Sequence, residues 1–509
     1  MLLPEWSAVA QLVEQVTVNH RVGGSSPSCG AKKTIKFMLG GFFMGVYDGL
    51  VSLLKEAFMK IGFLGAAGTV TGSKYLLSTH KHQYLIDCGL FQGLKSLRQR
   101  NWRHLSVEPK DISAVFLTHA HIDHSGYLPR LVAQGFNGTI YCSRGSYDLV
   151  KILLPDSGYL QEEEARYANK KGYSKHKPAM PLYTRAEAEE ALNYFQPIDF
   201  HQRTRIFDDM NITLMRAGHI LGASSILIES AGRRIIFSGD VGRYHDLIME
   251  PPEPLPDADY LVIESTYGDR LHQDDNLLER LAEIINNTAK QKGTIVIPAF
   301  AVGRAQLILY LIRKLKQAKK IPALKTYLDS PMSIDATKLY CQYHDEHRLS
   351  EDECAFICAG AIITRSTEES KAIGDIIGPK IIISASGMAS GGRVLHHLSH
   401  YISDSANTII LVGFQAAGTR GRTLLEGAER IKLFGEEFSV KARIEYISGL
   451  SAHGDYHDLI RWLNESKLSK PKVFVTHGEP TAASAFAERL RDTFKWHVEV
   501  PRDGDVIDL

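Results

Sequence analysis

The stretch Thr118-His119-Ala120-His121-Ile122-Asp123-His124-Ser125-Gly126 comes directly after an apolar run, Ile112 to Leu117. A run of that length and composition reads as a buried strand, so the polar cluster falls where the strand ends and the chain turns. His119, His121, Asp123 and His124 are all metal-ligating side chains. Imidazoles with one carboxylate suit Zn²⁺ better than Mg²⁺ or Ca²⁺, which prefer shells of oxygen. Spacings this short cannot wrap all four side chains around one tetrahedral ion, which makes two neighbouring ions the natural reading. The cluster is a metal site.

A chain of 509 residues exceeds one ordinary domain and predicts two or three compact units. With 44% hydrophobic and 23% charged residues it has the composition of a globular enzyme. Its formal net charge of +1 means that a nucleic acid would have to be held by a local basic groove, not by the field of the whole molecule. Cys29, Cys88, Cys142, Cys341, Cys354 and Cys358 are scattered without a C-x-x-C motif, which fits a reduced, cytoplasmic compartment.

Residues 1 to 58 differ from the rest of the chain. Gly24-Ser25-Ser26-Pro27 is the reading of GGTTCGAGTCC, bases typical of a tRNA T-arm, and Val9 to Val13 and Thr17 to His20 resemble a D-arm and an anticodon arm in the same way. The segment is therefore expected to be a non-native extension, with Met59 as the start. Phe37 to Leu54 is apolar enough to suggest an anchor, but Asp48 and four glycines interrupt it, and no membrane association is expected.

From residue 59 short strands alternate with loops, and ligand-type residues recur at their ends: Asp87 after Tyr84 to Ile86, His219 after Ile212 to Met215, and Asp240 after Arg234 to Phe237. Beyond residue 270 the rhythm becomes strand then helix, the pattern of a parallel α/β unit. Its turns carry Gly303-Arg304, Ser390-Gly391-Gly392-Arg393 and Gly418-Thr419-Arg420-Gly421-Arg422. Glycine lets a backbone approach closely and arginine offers a fork for phosphate oxygens, so these turns predict an anion-lined face. His453 and His477 then lie in glycine-flanked turns near the end of the chain.

In chain order, Asp87, the histidine cluster, His219 and Asp240 resemble the motifs of the metallo-β-lactamase superfamily. Glu264 in Glu-Ser-Thr-Tyr-Gly, His453 in Ser-Ala-His and His477 in Thr-His-Gly-Glu resemble three further motifs of its β-CASP nucleases. That family includes the endonuclease subunit of the eukaryotic pre-mRNA cleavage and polyadenylation machinery and its bacterial and archaeal relatives. The resemblance implies an αββα sandwich in two parts, residues 59–265 and 441–509, with an inserted parallel-sheet β-CASP domain at 266–440. It implies two Zn²⁺ ions, one held by His119, His121 and His219 and one by Asp123, His124 and His477, with Asp240 bridging. Asp87 is carried over as an orienting residue, and His453, supported by Glu264, as a group that stabilises the phosphate or protonates the leaving oxygen.

The function so implied is hydrolysis of RNA phosphodiester bonds, internal or from a 5′ end, in RNA processing or decay; a homodimer is compatible with the relatives. Arg304, Ser390, Gly391, Gly392, Arg393, Arg420 and Arg422 are expected to grip the RNA. Three readings compete. A DNA nuclease of the same branch would carry an apolar residue where His477 stands. A small-ester, thioester or lactam hydrolase shares the histidine cluster but needs no such insertion. An inactive RNA-binding scaffold would have lost ligands that this chain keeps.

Overall fold

The computed structural model describes residues 59–509, apart from 173, 209, 274 and 275. The expected extension at 1–58, with its apolar run, lies outside the described residues. Two seven-stranded sheets, one six-stranded sheet and a two-stranded sheet, Arg430–Leu433 with Glu436–Ser439, carry the described residues. The first is ordered Val506–Asp508, Met59–Phe63, Tyr75–Thr79, Gln83–Ile86, Ile112–Phe116, Thr139–Ser143, Phe195–Ile198. The second is ordered His497–Glu499, Lys472–Val475, Tyr260–Ile263, Arg233–Phe237, Ser224–Ser230, Met210–Arg216, Thr204–Phe207.

Side chains alternate across a strand, and here both faces are covered. Tyr84, Ile86, Ala114 and Phe116 of the first sheet share one core with Ile235, Phe237, Val262 and Phe474 of the second. Their neighbours point the other way. Leu85 and Val115 pack beneath Leu149 and Leu153 of the helix Arg144–Lys171. Ile236, Leu261 and Val473 meet Trp462 of Tyr456–Glu465 and Phe486 of Pro480–Phe494. The layers are therefore helix, sheet, sheet, helix. Burial on two faces is why these strands read as unbroken apolar runs instead of alternating ones.

Tyr260–Ile263 and Lys472–Val475 are hydrogen-bonded neighbours in the second sheet, yet some two hundred residues of chain separate them. The third sheet fills that excursion. It runs Ile362–Ile363, Lys325–Asp329, Lys380–Ser384, Thr294–Pro298, Thr408–Val412, Arg443–Ile447, parallel throughout. The strand Arg443–Ile447 pairs with Thr408–Val412 along its whole length, so the inserted sheet extends past the boundary expected at residue 440. Arg443 and Glu445 break its apolar run, and an edge strand needs no such run. Among the described residues no helix is long and apolar enough to cross a membrane.

Candidate functional site

Parallel strands present their carboxyl ends on one side, and both halves of the sandwich use that side. Gln83–Ile86 and Ile112–Phe116 deliver Asp87 and the Thr118–His124 turn. Arg233–Phe237, Tyr260–Ile263 and Lys472–Val475, parallel to one another, deliver Asp240, Glu264 and His477. His219 comes from the loop joining Met210–Arg216 to Ser224–Ser230, and His453 from the turn after Arg443–Ile447.

Two groups of ligand atoms result. In the first, His121 Nδ1 lies 3.1 Å from His119 Nε2 and 3.2 Å from His219 Nε2, and Asp240 Oδ2 stands 3.4 and 3.6 Å from those two Nε2 atoms. In the second, His124 Nε2 lies 3.1 Å from His477 Nε2, which is 3.8 Å from Asp123 Oδ2. Asp240 Oδ1 faces this second group, 3.2 Å from His124 Nε2. One carboxylate thus gives an oxygen to each side.

The donor set of the first group fits a metal ion. Burial, and then the neighbouring imidazoles, holds His119 well below the usual histidine range; burial does the same for His219 and lowers His121 to about 4. All three rings are therefore neutral at pH 7, with lone pairs turned on one point. Ligands around a tetrahedral zinc with bonds of 2.0–2.1 Å stand roughly 3.3 Å apart, which these spacings match. Asp240 Oδ1 is also buried without a hydrogen-bond partner. Burial would raise Asp240, but His124 and His477 hold its carboxyl well below the ordinary range, so it is anionic.

Behind the ligands sits a shell that sequence reading did not single out. Thr118 Oγ1 lies 2.9 Å from Asp87 Oδ1 and 3.1 Å from His119 Nδ1. Thr266 Oγ1 donates to Glu264 Oε2 at 2.6 Å and lies 3.1 Å from His477 Nδ1. Each threonine stands within a few residues of the end of an apolar strand leading to a ligand, which is the only trace either leaves in the sequence. Glu264, fully buried, accepts Val241 N–H at 2.6 Å and lies 3.0 Å from His453 Nδ1. His453 Nε2 stands 3.8 Å from Asp240 Oδ2.

The arginine turns are placed differently from the expectation. Arg304 is 3% exposed and donates to Leu450 O at 3.0 Å and Asp246 Oδ2 at 3.2 Å. Arg393 is spent on Asp329 and the carbonyls of Thr364 and Arg365. Arg420 holds the carbonyls of Lys432, Ala389 and Ser390, and Arg422 holds Glu426 and Gln415 O. Guanidinium groups here donate to backbone carbonyls. Ser390 is exposed, and Gly391 has open space where a side chain would stand. A further set, His344, His347 and Cys354, also comes within ligand distance. Both ring nitrogens of His347 are already engaged, by Tyr340 O at 2.6 Å and Leu349 N at 3.2 Å, which leaves it no lone pair to offer.

A four-layer sandwich with paired histidine–carboxylate groups at its strand ends defines a metal-dependent hydrolase. Residues 67–278 match the metallo-beta-lactamase superfamily, 305–424 the Beta-Casp domain, and 437–501 the Zn-dependent metallo-hydrolase RNA specificity domain. The chain is 34% identical to Ribonuclease TTHA0252 of Thermus thermophilus, over 85% of this chain and 96% of that protein. It is 30% identical to an RNase J-like protein of Methanocaldococcus jannaschii over 88% and 99%. It is 31% identical to the transcription termination factor FttA of the same organism over 89% and 72%. The chain belongs to the metallo-β-lactamase superfamily, in its β-CASP family.

Proposed function

We propose that this chain is a zinc-dependent ribonuclease that hydrolyses RNA phosphodiester bonds with two metal ions. The observation that carries the reading is Asp240, whose two oxygens face two separate ligand groups 3.2 to 3.6 Å away. The match to an RNA specificity domain and the ribonuclease names of two relatives support RNA as the polymer. His119, His121 and His219 would hold one ion, Asp123, His124 and His477 the other. A pair of zinc ions bound there supplies an acidified solvent nucleophile and Lewis acidity towards the phosphoryl oxygens.

The chain's own residues do the rest. Burial lowers His453, but Glu264 and then Asp240 more than offset it and raise it to about 9. Its Nδ1 is tied to Glu264, which leaves Nε2 directed towards the ligand cluster. That is the placement of a general acid: Nε2 gives its proton to the leaving ribose oxygen, and Glu264 stabilises the ring in the charged form until then. Glu264 also fixes Val241 N, and so the backbone beside Asp240. The test is end-labelled RNA incubated with and without a chelator. Metal-dependent cleavage is expected, with a ladder of internal products for an endonuclease and mononucleotides for a 5′ exonuclease. A matched DNA strand cleaved faster than the RNA would overturn the choice of polymer.

A further inference from the structure

The segment Leu94–His104 carries Lys95, Arg98, Arg100, Arg103 and His104 and no acidic residue. Arg100 is used internally: it stacks on Phe91, 4.0 Å from the ring centre, donates to Leu64 O and pairs with Asp503. Lys95, Arg98 and Arg103 are exposed, and among the described residues no side-chain hydrogen bond or ion pair occupies any of the three. Between them Trp102 is 54% exposed, whereas Trp462 and Trp496 are buried.

This aromatic follows a residue that ties the segment back on itself. Buried Asn101 closes the loop, accepting Phe91 N–H at 2.9 Å and donating to Phe91 O at 2.8 Å. The segment also begins in the metal centre. Cys88 N donates to His124 O at 2.7 Å and Leu90 N to Ile122 O at 2.9 Å, so the segment leaves the site a few residues after Asp87. On its far side it abuts the inserted domain. A side chain at Gly93 would strike Ala417 O, and one at Gly418 would strike Leu94. There Arg98 approaches Arg420, adding like-charge repulsion to burial in depressing the Arg420 guanidinium, against the opposing charge of Glu164. A solvent-facing indole flanked by unpaired cations is the surface that single-stranded nucleic acids use: the ring stacks a base and the cations meet phosphates.

We propose that Leu94–His104 is a contact for single-stranded RNA, Trp102 stacking on a base and Lys95, Arg98 and Arg103 holding the flanking phosphates as the strand passes to the metal centre. The proposal rests on the ribonuclease reading and adds to it a binding element in the sandwich, outside the inserted domain. A protein partner would also value an exposed indole, but three unpaired cations without one acid favour a polyanion.

The test uses the full-length, zinc-loaded protein with two substrates: an RNA oligonucleotide, and bis(p-nitrophenyl) phosphate, a diester too small to span the segment. Trp102→Ala is expected to raise the KM for RNA roughly 5- to 150-fold, the loss of one stacked base. Replacing Lys95, Arg98 and Arg103 together by alanine is expected to lower the slope of log KM against log salt by about 2. Turnover of the small diester stays unchanged in both, which shows that the site is intact. Trp102→Phe is expected to keep RNA affinity but lose the quenching of tryptophan fluorescence by RNA. Unchanged KM and salt slope in the variants, with RNA still cleaved, overturn this proposal alone. Failure of the unsubstituted protein to cleave RNA removes the ribonuclease reading and this contact with it.

Discussion

Asp87 Oδ2 lies 2.7 Å from His124 Nδ1, on the side of the ring away from the ligand cluster. The same carboxylate accepts Thr118 N–H at 2.8 Å and Ser73 Oγ–H at 3.0 Å, so it is both buried and satisfied. It therefore orients instead of reacting. With Nδ1 held, the His124 ring presents Nε2 to His477 and Asp240. Orienting partners of this kind typically change metal affinity by about 10- to 100-fold when removed. Asp87→Ala is expected to weaken the second ion by that factor and leave the first in place. Metal titration with mass spectrometry of the native protein reads this as a fall from two ions to one at limiting zinc. Two ions bound at parental affinity would show that His124 needs no such support.

His453 touches Glu264 and approaches Asp240 but belongs to neither compact ligand group. His453→Ala should then keep the metal and slow the chemistry by about 10²- to 10⁴-fold on RNA. A general acid matters least when the leaving group needs no proton. The same variant should therefore lose far less on a p-nitrophenyl diester than on RNA. Equal losses on both substrates would assign His453 to binding the phosphate instead of protonating the leaving oxygen.

The strands that carry the ligands were legible because both faces of each are buried, so Ile112 to Leu117, Tyr84 to Ile86 and Lys472 to Val475 stand out as apolar runs. The histidines and aspartates that the fold gathers at the candidate site were legible because such residues are rare immediately past apolar runs, and their order resembles a known family. The third-sheet strand Arg443–Ile447 was not, since charged residues on its outer face erase the pattern. Thr118 and Thr266 were hidden for another reason: threonine past a strand is ordinary, and only the fold shows that each hydroxyl joins a carboxylate to an imidazole. For the arginine turns, a sequence gives a guanidinium's presence but not what its five donors already hold.

Arg304 illustrates the last point. It forms a buried ion pair with Asp246, which in turn accepts Ile248 N–H at 2.8 Å and Met249 N–H at 2.9 Å. Removing one member strands the other charge out of water, a loss on the order of 3–5 kcal/mol. Arg304→Ala should lower the melting temperature sharply without altering the salt dependence of RNA binding in the folded fraction. Restoring part of the lost stability by adding Asp246→Asn would confirm that the stranded carboxylate is the cause. A salt slope that falls with Arg304→Ala would return this residue to the binding surface.

Glu346, on the inserted unit, accepts Gly222 N–H at 2.7 Å, three residues beyond His219, and is 7% exposed. Burial pushes its carboxyl from 4.5 up to about 7, with Asp345 adding to the shift and the Gly222 hydrogen bond and Arg216 opposing it. A folded-state value above the unfolded one means that the folded protein binds the proton more tightly. The associated stability is complete below about pH 4.5 and disappears as pH rises through about 7. Glutamine keeps an oxygen for Gly222 and never ionises. Glu346→Gln should thus match the parent at pH 5 and exceed it at pH 8, by an amount on the order of 2–3 kcal/mol. Urea unfolding of both proteins at the two pH values measures the difference, and because each comparison is made at one pH, the titration of the histidines cancels. A variant that is less stable than the parent at pH 8 would mean that the ionised carboxylate makes a stronger bond to Gly222 than its burial costs, and that the loop carrying His219 is held by charge.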